Sequence, residues 1–505
     1  MKHLLELAKI VTRKKVGKVE ILDETILNDK TSLYAEFYDA LVNAKFETDE
    51  DAAKHFYDAT PLDDRYRKLK SRLKKRLLNH VFYLDVNEPS YSNYKRAYIT
   101  CYKNFSLLKI MIANGARLSF EKIAKQTITQ AVKFDFTDIV VTISKHLCSH
   151  YSLTGDRRNF REYNEVLQKY VKILNAEIQV ESLVQEVIMI SAKASTFTDE
   201  EKEIALANLA KVRDIDQKVS SYNIKYYTFY LGVIVTQITQ DYQQLMKICD
   251  EAEKYYNQNI DFYQKEQLAM FAMYRMTACI ILKDYDNGNT SAERCLDLFS
   301  EGSINWLIFH EYYFLLAMHT ENYAKAAEIY ERAVSLSQFT YTNPLRKEKW
   351  KIFEGYLNYI LESEAIESEA LSGEANNFKL YKFLNEVPIF TRDKSGYNVA
   401  ILSLQILYLL EKGDFDGIID KAESIRMYTQ RHLKKEDSIR SYYFMKMLRK
   451  MEQLSFDYQK TLAATAGLYS KLQSNKGNVY EWEIIPYEKL WEKVLHKLKE
   501  EEQYA

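Results

Sequence analysis

At the corners expected between helices an aromatic residue follows Asp or Asn five times, at Tyr242, Tyr285, Tyr323, Phe378 and Phe415, and once more at Tyr458. The steps between them are 43, 38, 55, 37 and 43 residues. Each is about the length of two helices and their turns. A recurring step of this size marks stacked helix pairs, in which each pair buries its apolar face only against its neighbours. Such arrays hold other molecules more often than they catalyse, so the spacing predicts an architecture and a style of function together.

Composition narrows the fold class. Only 13 Gly and 5 Pro occur in 505 residues, about half and a fifth of their usual shares. A sheet-rich chain of this length needs far more turn residues, so the expectation is all-α, with too many residues for one compact core. The net charge of −1 provides no global field toward nucleic acid or membrane. Five cysteines are scattered without a C-x-x-C pair, which predicts reduced core thiols. No run approaches the length of a membrane helix and the N-terminus lacks the apolar core of a signal peptide, so a soluble cytoplasmic protein is expected. Tyrosine is abundant, with 40 copies against 24 Phe and 4 Trp. It suits a residue that spans from core to surface between helices, or one that lines a partner groove.

Four segments follow. Residues 1–85 form an N-terminal module, with helices expected over 32–44 (Leu33, Phe37, Leu41 and Val42 on one side), 49–57 (Ala52, Ala53 and Phe56 apolar) and 61–82. Thr60 is placed to cap the third, with Pro61 in its first turn and Asp63 at the acid position of a capping box. Residues 86–215 read as irregular helical array, broken at Asn114-Gly115, Thr154-Gly155-Asp156 and Thr196 to Asp199. Residues 216–475 carry the legible repeats, and 476–505 a closing helix with Leu490, Trp491, Val494 and Leu498 on one face. The stretch from Leu361 to Ala375 has five Glu and no base. It reads as an acidic insertion, and it coincides with the long 55-residue step.

The clearest repeat is Glu321 to Val334, ENYAKAAEIYERAV, where Tyr323, Ala326, Tyr330 and Ala333 fall on one helix face. These residues resemble the tetratricopeptide repeat family. Tyr323 matches the family's corner aromatic, Ala326 and Ala333 its small second-helix positions, and Tyr330 its aromatic one. The same frame gives Gly288, Ala292 and Cys295 after Tyr285, and Leu245, Cys249 and Ala252 after Tyr242. The resemblance implies a right-handed superhelix of antiparallel helix pairs over about 222–475, with a surface for a protein or peptide. The chain departs from the family in its longer spacing, in Phe314 where a small residue is expected, and in having no repeat-closing Pro. No ligand-binding residue carries over.

The strongest local charge signal lies outside the repeats. RYRKLKSRLKKR, Arg65 to Arg76, has eight bases in twelve positions and no acid. Tyr66, Leu69, Leu73 and Leu77 form one narrow apolar stripe, Lys68, Arg72 and Lys75 lie opposite, and Arg65, Arg67, Lys74 and Arg76 occupy the flanks. With helix 49–57 before it, this resembles a helix-turn-helix and, more narrowly, the winged module of bacterial transcriptional activator domains, which also occur with tetratricopeptide-like repeats. The resemblance implies a nucleic-acid contact through 61–82, although no two-stranded wing is legible after Leu78. A solvated helix face, a nucleic acid and an acidic protein partner all stay open. Five to seven phosphate contacts would give a salt slope of roughly −4 to −6.

Other chemistry is sparse. His146 and His150 stand one helical turn apart without a third ligand at a telling spacing, so no metal is expected. His310 and His319 read as packed residues. Gly413 and Gly417 bracket Phe415 in a helix corner. No phosphate-binding loop, dinucleotide fingerprint or nucleophile elbow is present, and no cofactor is implied. The expectation is a non-enzymatic scaffold that binds a protein or peptide, with a nucleic-acid regulator as the alternative. Partner identity and oligomeric state are not legible.

Overall fold

The computed structural model describes residues 20–22, 29, 31–192, 197–364, 397–421, 439–475 and 483–504, except 44, 47, 88, 90 and 263, together with single residues nearer the N-terminus. The acidic stretch beyond 364, and with it Phe378, lies outside the described residues. Among those described the chain is all-α, without a strand. No helix is long and apolar enough to cross a membrane. The chain divides into two units, 1–177 with 259–264 and 178–258 with 265–505.

In the first unit, α1 (Leu33–Val42) and α2 (Asp49–Tyr57) both pack on α3 (Asp64–Phe82). The helices α4 (Asn93–Ala113), α5 (Arg117–Lys133) and α6 (Thr137–Thr154) follow, each against the next, and α7 begins at Arg157 and runs to Ser191. One helix start and one buried face differ from the sequence expectation. The third helix starts at Asp64, and its cap is Asp63, whose side chain accepts from the amides of Arg65 and Tyr66. Thr60 and Pro61 sit in the preceding turn, because Asp63 supplies a stronger two-amide cap close to the apolar stripe. On α1, Phe37 and Ala40 are buried while Leu33, Leu41 and Val42 are exposed. The Phe37 ring lies 4.9 Å from Phe56 and 6.2 Å from Tyr66, so one aromatic anchors this helix in place of a leucine row.

In the second unit, α8 (Asp199–Lys218) packs on α9 (Tyr222–Ile238), and pairs follow as α9 with α10 (Tyr242–Gln258), α11 (Lys265–Leu282) with α12 (Tyr285–Cys295), and α13 (Ile304–His319) with α14 (Tyr323–Val334). Next come α15 (Pro344–Ser363), α16 (Tyr397–Glu411), α17 (Ile439–Gln453), α18 (Tyr458–Ser474) and α19 (Tyr487–Tyr504). Neighbouring helices pack from α8 to α16 and again from α17 to α19, and α11 also packs on α13, the first helix of the next pair.

The spacing of corner aromatics has a local cause. Gln240, Lys283, Glu321 and Gly413 all have left-handed backbone, with φ of 56°, 54°, 60° and 66°. In each case the next residue, Asp241, Asp284, Asn322 or Asp414, donates its amide 2.9 Å back to a carbonyl five residues earlier. This is the Schellman helix stop. The aspartates then cap the following helix, accepting from the amides of Gln244, Asn287 and Gly417. One residue therefore ends one helix and starts the next, and the aromatic after it is the first residue of the second helix. At Tyr458 the stop carries one extra residue, Phe456 donating to Met451, while Asp457 still caps at Lys460. The first unit uses the same stop after Gly115, Asp135 and Gly155.

The core of the second unit is continuous from Ala272 to Leu498. Ala326, Ala333, Ala292, Leu245 and Ala252 are fully buried at the aligned positions, and Tyr330 and Tyr323 are buried with them. A Cβ at Gly288 would collide with Leu316 and lie 3.0 Å from Cys279, so close helix approach requires glycine there. Phe314, at a position where small residues were expected, stacks on Phe353 at 4.6 Å and opens room between pairs. Tyrosines connect helices through their hydroxyls. Tyr356 donates to the Ala400 carbonyl and Tyr408 to that of Gly355. The closing helix α19 buries Leu490, Trp491, Val494 and Leu498 as its pattern predicts. Its contacts are not confined to the last pair: it packs on α16, α17 and α18, and Lys489 and Lys493 reach Glu321 and Glu364.

Candidate functional site

The basic helix α3 is held by one stripe. Tyr66, Leu69 and Leu73 are buried against Phe37, Ala52 and Ala53, and Leu77 lies at the edge. The hydroxyl of Tyr66 and the ammonium of Lys70 both donate to Asp49 at 2.6 Å, which fixes the start of α2 to the side of α3. The Lys70 and Tyr66 hydrogen bonds hold the Asp49 carboxyl below its usual range. Asp63 is pulled lower still, to about 2, first by its bond to Arg65.

These contacts sort the candidate bases. Arg65 is paired with Asp63, and Arg67 with Asp64 at 3.7 Å. Arg76 is half-buried: its guanidinium covers the Tyr34 ring at 4.4 Å and donates to the Ile21 carbonyl. It is a packing residue more than a surface charge. Lys68, Arg72, Lys74 and Lys75 are exposed, and none has an ion-pair partner among the described residues. Lys68, Arg72 and Lys75 stand at i, i+4 and i+7 on the face opposite the stripe. They present a row of cations about 10 Å long. Six residues, 58–63, separate α2 from α3, more than the three or four of a tight helix-turn-helix. Among the described residues of 83–92 there is no strand.

A second site was not legible in the sequence. A cleft of about 700 Å³ opens between the α11–α12 and α13–α14 corners and the start of α19. Lys283, Asp286, His319, Glu321, Glu488, Lys489 and Glu492 are among its walls. Beneath it Arg440, 8% exposed, bonds Glu483 at 2.5 Å and Glu488 at 2.6 Å, and donates to the carbonyls of Leu472 and Asn475. The guanidinium thus joins the end of α18 to the start of α19. Burial alone would raise the Glu488 carboxyl, but the bond and charge of Arg440 outweigh it and hold it low. His319 donates from Nε2 to the Glu483 carbonyl, and burial keeps its ring neutral. Of the charges in its walls, Lys489 pairs with Glu321 at 3.0 Å and Glu488 with Arg440. No sequence signal marked it, since Arg440 is one of four bases on α17, with Lys446, Arg449 and Lys450.

His146 and His150 do not converge. Lys109 donates to His146, while His150 faces Glu121 at 3.4 Å. Among the described residues no group of His, Cys, Asp or Glu is arranged to hold a metal. The five thiols are free, and burial raises those of Cys249 and Cys279 to about 12. Comparison with family models, curated proteins and solved structures found no match.

Proposed function

We propose that the chain is a non-enzymatic helical-repeat scaffold, a tetratricopeptide-like solenoid whose repeated surface holds a protein or peptide partner. The recurring corner supports this most directly. Four Schellman stops of one hydrogen-bond pattern, at Gln240, Lys283, Glu321 and Gly413, turn the chain from one helix into the next. Pairs joined in that way stack into a quasi-one-dimensional array with an extended face. Purification of the tagged chain from its native host after nuclease digestion, followed by cross-linking, tests the reading. The expected result is one stoichiometric protein cross-linked to the second unit. Recovery of the chain alone, or cross-links confined to the first unit, would overturn it.

A nucleic-acid regulator is the second reading, favoured by four cations of α3 that have no ion-pair partner among the described residues. Four contacts instead of five to seven lower the expected salt slope to roughly −3 to −4. Nucleic acid that co-purifies without nuclease and is lost on Lys68→Glu, Arg72→Glu and Lys75→Glu together is the expected observation.

A further inference from the structure

We propose that the outer row of α3 is a contact surface for single-stranded nucleic acid, with cations on its phosphates and two aromatic rings on its bases. The proposal rests on the nucleic-acid reading above and deepens it. Lys68, Lys75 and Phe82 fall at i, i+7 and i+14, which places them in one line about 21 Å long. Arg72 and Leu78 flank that line. Phe82 is 51% exposed and Tyr83, which ends the helix, 59%. Their rings meet edge to face, 5.5 Å apart at 86°, so they do not stack on each other.

Large exposed aromatics beside unpaired cations have a specific use. Base stacking on such rings is worth about 1–3 kcal/mol per base and tolerates any sequence, while the cations follow the backbone. The turn before α3 has six residues, longer than that of a tight helix-turn-helix, and no strand is found among the described residues of 83–92, so the duplex-reading arrangement is not favoured. A lipid surface fits less well. A helix that lies in a membrane interface buries its apolar stripe there, but the stripe of Tyr66, Leu69 and Leu73 is already enclosed by α1 and α2. The exposed rings share the cationic row instead.

The test uses the full chain and three probes: a labelled short oligo-dT, a duplex of equal length, and vesicles containing phosphatidylglycerol. Anisotropy reads the first two and co-sedimentation the third. Oligo-dT is expected to bind at least about tenfold tighter than duplex, with a salt slope of about −3 from four contacts. Phe82→Ala with Tyr83→Ala is expected to weaken oligo-dT binding by at least about thirtyfold and leave duplex binding unchanged. Both side chains are exposed, and a thermal melt by circular dichroism confirms that the variant folds. Duplex binding equal to or tighter than oligo-dT, or oligo-dT binding indifferent to the ring variant, overturns this inference while the nucleic-acid reading survives. Binding to neither nucleic acid, including binding to vesicles alone, overturns both.

Discussion

At the scale of single residues, the second unit commits polar groups to its interior and satisfies them locally. Arg440 is the extreme case, a buried guanidinium whose donors are taken by two carboxylates and two carbonyls. Loss of one partner from such a group is costly because the other charge stays buried. His310 is the titratable counterpart. Its ring stacks on Trp306 at 3.5 Å, its Nδ1 donates to the Trp306 carbonyl, and it is 1% exposed. Burial, chiefly, lowers its pKa to about 4. In the unfolded chain the same imidazole titrates near 6.5, so between these values the unfolded state binds more protons. Stability therefore falls as pH drops below about 6.5 and the loss levels off below 4, amounting to about 2 kcal/mol between pH 7 and pH 5. His319, also depressed by burial, adds in the same direction. Denaturant melts of His310→Gln at pH 7 and pH 5 should show a smaller difference than the parent by about that amount. Parallel losses in the two proteins would show that this histidine does not carry the effect.

At the scale of elements, the corners separate what the sequence displays from what it conceals. Asp or Asn before an aromatic was visible as a spacing, and its cause is that one residue both ends one helix and caps the next. Substituting a capping aspartate typically costs about 1 kcal/mol. Asp284→Ala and Asp457→Ala should each lose that much by chemical denaturation. Asn322→Ala should lose less through the cap, because its side chain bonds Thr320 and makes no bond to α14. Equal losses at all three would detach the stability of the corner from capping. Of the equivalent stops in the first unit, the one before Ala116 was legible as the Asn114-Gly115 break, while the one before Phe136 was not; neither Ala116 nor Phe136 can cap the helix that follows. The basic helix was legible in its stripe and charges, since Tyr66, Leu69 and Leu73 repeat at helical spacing. Which of those charges stay unpaired was not legible, because Asp49, Tyr34 and Ile21 reach α3 from elsewhere in the chain. The cleft beneath α19 was hidden for the same reason: Arg440 and Glu483 are brought together only by tertiary packing.

At the scale of the whole molecule, the two units have separate interiors. One apolar cluster runs from Ala97 to Tyr170 and another gathers around Phe37 and Tyr66, while the second unit is organised about Trp306, Trp350 and Phe353. Units with their own cores are expected to unfold as separate cooperative blocks. The tryptophans make this measurable, because all four, at 306, 350, 482 and 491, belong to the second unit. Tryptophan fluorescence therefore reports that unit alone, whereas far-ultraviolet circular dichroism reports helices in both. Ile139 is completely buried in the Ala97–Tyr170 cluster, and its truncation to Ala should cost about 2–5 kcal/mol within the first unit. In Ile139→Ala, circular dichroism should lose part of its signal at lower denaturant than the parent, while the fluorescence midpoint stays in place. A fluorescence midpoint that moves with the dichroism would show one cooperative block spanning both units. That result would mean a perturbation at the basic helix is felt across the repeats, so partner binding at either surface would be coupled to the other.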